Sequence, residues 1–129
     1  MNSTEKNDML ESLLQSEKMY VRLKMAEQGY GLDTLINDSH YLVRVAVARQ
    51  GYGLDKLIND TDWQVRREVA RQGYGLDRLA DDECPDVRLA VAKQGYALNK
   101  LIKDIDNKVR LAAFDKLYEK NQEMFDRIM

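Results

Sequence analysis

Apolar residues along this chain fall into two alternating patterns. In Asp62–Gln72 the apolar positions Val65, Val69 and Ala70 make the single stripe of an amphipathic helix. The second pattern is shorter. Leu76, Leu79 and Ala80 stand at i, i+3 and i+4, as do Leu54, Leu57, Ile58 and Leu98, Leu101, Ile102, giving one apolar face on one or two helical turns. Between the two patterns lies a Gln-Gly-Tyr stretch, where a glycine such as Gly73 supplies the left-handed conformation that ends a helix. An Asp at the front of the long helix suits N-capping and the helix dipole. Two candidates stand there: Asp60, which recurs as Asp38, Asp82 and Asp104, and Asp62, which recurs as Asp106. Pro85 is accommodated in a first turn, where no intrahelical N–H bond is needed.

The alternation is a repeat. Gln28-Gly29-Tyr30-Gly31-Leu32-Asp33 returns as Gln50–Asp55 and Gln72–Asp77, and in altered form as Gln94–Asn99, at a constant step of 22 residues. Val21-Arg22 keeps the same step through Val43-Arg44, Val65-Arg66, Val87-Arg88 and Val109-Arg110. Neither helix of a unit can bury its stripe alone, whereas stacked units give each stripe a neighbour. The pattern predicts an all-α, right-handed helical solenoid of about five 22-residue two-helix repeats, with capping helices at both ends. Within a single domain, residues 1–15 form the N-terminal capping helix and 16–107 the tandem repeats. Residues 108–129 form the last repeat helix and the C-terminal cap. Met9, Leu10, Leu13 and Leu14 supply one apolar side at the front, and Phe114, Leu117, Tyr118, Phe125 and Ile128 are expected to cover the last repeat.

The unit of Asp, a few residues, Val-Arg and then small apolar residues is similar to that of HEAT-like and leucine-rich-repeat-variant solenoids. It is carried by Asp60–Ala70, Asp82–Ala92 and Asp104–Ala113, and the resemblance covers roughly residues 16–117. The short Leu54–Asn59 segment is similar to the abbreviated second helix of the leucine-rich-repeat variant. Such a resemblance implies protein binding, with DNA binding in some HEAT-like members. Two departures stand beside it. The founding variant-repeat protein carries a Cys-ligated iron–sulfur cluster, which one cysteine, Cys84, cannot rebuild. The unit is also shorter than a usual HEAT repeat, which leaves the superhelical pitch open.

Composition narrows the function classes. Apolar residues at 44% suffice for a core, and charged residues at 33% suit an extended, well-solvated surface. A net charge of −2 gives no global bias toward nucleic acid or anionic membrane. A single Cys rules out an intramolecular disulfide framework and suits a reducing cytosol. The polar, acidic Met1–Leu14 does not read as a signal peptide, and no apolar run reaches the roughly 20 residues of a membrane span. The expectation is a cytoplasmic protein that uses no cofactor, metal or membrane.

Candidate binding residues come in rows. Arg22, Arg44, Arg66, Arg88 and Arg110 could line up phosphates, but Asp38, Asp60, Asp82 and Asp104 keep the same step. A structural ladder of bidentate pairs, with Arg44, Arg66, Arg88, Asp60, Asp82 and Asp104 at its centre, is the favoured reading. Tyr30, Tyr52, Tyr74 and Tyr96, each two residues after a Gln, could form a contact surface or plug the seams between repeats. Arg49, Arg71 and Lys93 share one repeat position, and Lys56, Arg78 and Lys100 another. These basic rows could track a phosphate backbone, although Glu27 and Asp115 interrupt the first.

The acidic cluster of Asp81, Asp82, Glu83 and Asp86 matches no calcium loop. Trp63 deviates from its repeat and is a candidate partner anchor. His40 and Cys84 fill the slot of Asp62 and Asp106 and have no metal or triad company. No phosphate-binding loop, nucleophile elbow or Glu-x-x-His motif appears. The reading is a noncatalytic, protein-binding scaffold or adaptor, monomeric or paired end to end. Trp63, Tyr52, Tyr74 and the basic rows are its candidate contacts, and weak nucleic-acid binding through those rows is the alternative.

Overall fold

A computed structural model describes residues 1–122, 126 and 127. The described residues hold ten helices and no strand. No helix among them is long and apolar enough to cross a membrane. The chain divides into two units, Met1–Glu68 and Val69–Met129.

In the first unit, α1 (Ser3–Leu14) packs on α2 (Met19–Glu27), and α2 packs on α4 (Tyr41–Arg49). The four-residue helices α3 (Leu32–Leu35) and α5 (Leu54–Leu57) lie against the long ones, and α6 (Trp63–Arg71) starts here. The core is built from the recurring apolar positions: Val43, Val47 and Val65 on long helices, with Leu35 and Leu57 on short ones. None of the residues of α1 is fully buried, and Met9 is exposed.

In the second unit, α7 (Leu76–Leu79) precedes α8 (Pro85–Lys93), which packs against α10 (Asn107–Lys120). Between them α9 (Leu98–Leu101) touches both. Val87, Val91 and Val109 are fully buried, as are Leu79 and Leu101 apart from their edges. Pro85 occupies the first turn of α8, where its missing N–H costs nothing. Phe114 and Tyr118, expected to cover the last repeat, instead face outward. Val109 and Ala113 take the inner side of α10, and helical geometry turns Phe114 and Tyr118 to the opposite side. Phe125 and Ile128 lie outside the described residues.

One turn explains the Gln-Gly-Tyr signature. At the end of α4, Gln50 is the C-cap and Gly51 takes φ +74°. The Gly51 N–H donates to Ala48 O at 2.8 Å and the Tyr52 N–H to Val47 O at 3.4 Å. That is the paired-bond arrangement that satisfies the last helical carbonyls, and the Tyr is the residue that closes it. The same bonds recur at Tyr74 N–H to Val69 O and Tyr96 N–H to Val91 O. A second left-handed residue, Gly53 at φ +63°, then turns the chain into α5. A Cβ at Gly53 would collide with Ile36 Cδ1. In the second unit the equivalent residue is Ala97, which holds φ 55° and is the one non-glycine with positive φ among the described residues.

Ala97→Gly is therefore expected to raise stability by about 1 kcal/mol, because the left-handed cost of a Cβ is removed. Gly53→Ala, which adds both that cost and the Ile36 collision, is expected to lower it by about 2 kcal/mol. Urea unfolding of the two variants measures both. A loss of stability in Ala97→Gly would show that position 97 carries no strain.

Candidate functional site

Arginine and aspartate form the most regular polar structure in the molecule. In the first unit, Arg22 Nε donates to Asp38 Oδ2 at 2.7 Å and Nη2 to Oδ1 at 3.2 Å. Arg44 does the same to Asp60, with Nε at 2.8 Å. In the second unit, Arg88 binds Asp104, with Nε at 2.8 Å. Each pair is bidentate and separated by 16 residues. The third nitrogen is also used: Arg44 Nη1 donates to Asp38 O, Arg66 Nη1 to Asp60 O and Arg88 Nη1 to Asp82 O, each at 2.7 Å. Arg110 reaches back to Asp104 O at 2.6 Å and folds onto the Asn107 side chain. The side chains of Arg22, Arg44 and Arg88 are mostly buried, and their guanidinium groups are engaged internally.

The two Asp candidates at the helix front divide the work. Asp60 Oδ1 accepts from the Asp62 N–H at 2.9 Å, so it shapes the turn while holding Arg44. Asp62 Oδ1 accepts from the Gln64 N–H at 2.8 Å, which is the capping bond. Asp104 and Asp106 repeat this division before α10. His40 takes the capping place with Nδ1, which accepts from the Leu42 N–H at 3.1 Å. Cys84 stands at the same place and caps nothing through its side chain.

Electrostatics follows from the pairing. Burial pushes the Asp38 carboxyl up, but the Arg22 hydrogen bond, the His40 N–H and the charges of Arg22 and Arg44 outweigh it. Its pKa lies below the ordinary value. At Asp104, burial is again outweighed, by the bond from Arg88, the Asp106 N–H and the charges of Arg88 and Arg110.

The candidate contact residues have different fates. Tyr30 and Tyr52 in the first unit, and Tyr74 and Tyr96 in the second, are each between 41% and 44% exposed. Their backbones are fixed by the closing bonds described above. Gln50 Nε2 donates to Glu27 O and Gln94 Nε2 to Arg71 O, so these amides serve the turns. Of the basic residues, Lys56 binds Asn37 and Lys100 pairs with Asp81. Arg71 and Lys93 are exposed, with no ion pair to any described residue. Arg78 is exposed as well. An open groove in the first unit runs past Asn37, Ser39 and Thr61 over Arg44 and Lys56, whose charged ends are already engaged.

Sequence reasoning missed a cluster on α6. Glu68 is 3% exposed and accepts from Arg49 Nε at 2.7 Å. It fills a repeat position held by Ala46 and Ala90, so a Glu in an alanine slot was the available signal. Removing Arg49 would leave a carboxylate buried without its partner, which makes Arg49 structural as well as exposed. Trp63 is half-buried, with the Arg67 guanidinium 4.9 Å from its ring centre, a cation–π contact. Among the described residues no three His, Cys, Asp or Glu side chains gather as a metal-binding group.

The depressed carboxyls fix the direction of a pH dependence. An Asp whose pKa is lower folded than unfolded stabilises the fold above its unfolded value, about 3.9, and that stability fades as pH falls through the folded value. Melting temperature should therefore be flat near neutrality and fall below about pH 4. Asp38→Asn and Asp104→Asn should melt lower at pH 7 and show a shallower acid limb. Acid limbs as steep as the parent's would mean that these carboxylates are not what the acid titrates. No family model matches the chain, and no curated protein matches it.

Proposed function

We propose that this chain is a noncatalytic protein-binding scaffold, built as a HEAT-like or leucine-rich-repeat-variant solenoid of about five 22-residue repeats. The observation that carries this reading is the tyrosine row. Each ring stands at the same repeat step, about two-fifths exposed, on a turn whose backbone bonds are already made. Such a ring offers contact area at little further entropic cost. Around the rings in the second unit, Arg71 and Lys93 add exposed charge. Trp63, stiffened by Arg67, is a further anchor.

The ladder reading supports a scaffold rather than a phosphate binder, because Arg22, Arg44 and Arg88 are held by their own aspartates. The single His is engaged as a helix cap through Nδ1, and the single Cys stands at the equivalent cap position. Nucleic-acid binding through Arg71, Arg78 and Lys93 is the alternative. It is weakened by the internal engagement of Arg49, Lys56 and Lys100.

The test is capture on the tagged chain from its native lysate, with and without nuclease, for the parent and for Tyr52→Ala/Tyr74→Ala. A stoichiometric protein is expected to survive nuclease and to be lost by about tenfold from the double variant, with folding intact by circular dichroism. Recovery of nucleic acid instead, falling steeply with salt and abolished by charge reversal at Arg71, Arg78 and Lys93, would overturn the scaffold reading.

A further inference from the structure

The outer side of α10 carries an apolar stripe. Leu111, Phe114 and Tyr118 are 61%, 51% and 40% exposed, and the rings of Phe114 and Tyr118 stack with centroids 6.4 Å apart. Their spacing of three and four residues puts them on one line with Asn107, opposite the buried Val109 and Ala113. Such a surface is an exception for a solvated helix and marks an interaction face.

The repeat shows what this face is for. One step earlier in the same unit, Leu89 and Ala92 occupy the positions of Leu111 and Phe114. There Leu89 is half-buried and Ala92 fully buried, in the helix that packs against α10. On α10 the corresponding side chains have no helix of the second unit over them among the described residues. Position 114 also holds Phe where the packed helix holds Ala. The small residue allows close approach of the next helix, and the large one requires an interface of different spacing. The face is thus unsuited to another copy of the internal repeat packed in the same way.

We infer that the occupant is a second copy of this chain, joined through α10 against α10 in an antiparallel, twofold pair. The stripe fits itself. With the axis passing between Leu111 and Phe114, each Leu111 meets Phe114 of the second copy, and Asn107 meets Tyr118. Charge fits as well. Lys108 and Asp115 are both exposed along one edge of the stripe. A twofold pairing brings the same edges together in opposite directions, so each Lys108 stands beside Asp115 of the second copy, twice over. A parallel twofold pairing would set this edge against the opposite edge of the second copy, so Lys108 and Asp115 would stand on different sides of the interface and could not pair. The buried area is on the order of 1,000 Å² in total, at the small end for a specific interface, which predicts reversible association.

Sedimentation equilibrium on the full chain, from about 1 to about 200 µM, reads the association directly. A dimer whose fraction rises with concentration is expected. Phe114→Glu should weaken it at least about tenfold, and Lys108→Glu and Asp115→Lys each about three- to tenfold. Lys108→Glu/Asp115→Lys should recover association to within about threefold of the parent, since the swapped charges again face each other. Circular dichroism melting checks that each variant folds. If Phe114→Glu does not, the two exposed charges carry the test alone. A monomer at every concentration, a dimer indifferent to the single reversals, or a double variant that stays weak overturns the inference.

Discussion

The bidentate bond between an arginine on one long helix and an aspartate 16 residues later is the interaction on which the rest depends. Each such aspartate is used three ways. Its carboxylate holds the guanidinium, one oxygen accepts the N–H that shapes the turn, and its backbone carbonyl accepts from the next arginine in the series. Asp38 shows all three, through Arg22, the His40 N–H and Arg44. A charge buried to this degree stabilises a fold only when its hydrogen-bonding capacity is met, and here it is. The pairing therefore positions α2, α4 and α8 each relative to the turn that launches the next long helix. The valines and leucines behind it fill the space so defined.

Much of this was legible in the sequence, for a physical reason. A constant step places Arg44 and Asp60 in the same relation as Arg88 and Asp104, so one pairing geometry serves within each unit. The Gln-Gly-Tyr turn was legible because left-handed backbone favours glycine, and Ala97 shows that the preference can be overridden at one position. The division of work between Asp60 and Asp62 was not legible. Both lie before the same helix, and only the hydrogen bonds tell the cap from the turn former. Glu68 was missed because its burial depends on Arg49, 19 residues away, and not on its own helix pattern. Phe114 was expected inside because it is large and apolar. Its place on the helix turns it outward instead, opposite Val109 and Ala113.

The polar structure also sets how the surface reads. Arginines that look like a phosphate-binding row are held by their own carboxylates and carbonyls, and Lys56 and Lys100 lean on neighbouring polar groups. The repeated features that remain outward are tyrosine rings on closed turns and the exposed pair Arg71 and Lys93. On the reading proposed above, a surface of that kind would serve recognition of another protein's shape rather than readout of a charged polymer.

A double-mutant cycle on Arg44 and Asp60, followed by urea unfolding at pH 7, tests the ladder most directly. Arg44→Ala and Asp60→Ala should each cost about 3 kcal/mol, and the double variant about the same as either alone. The coupling would then be about 3 kcal/mol, as expected of partners that exist for one another. Additive losses, with coupling near zero, would contradict the ladder and return the arginine row to consideration as a ligand-binding surface.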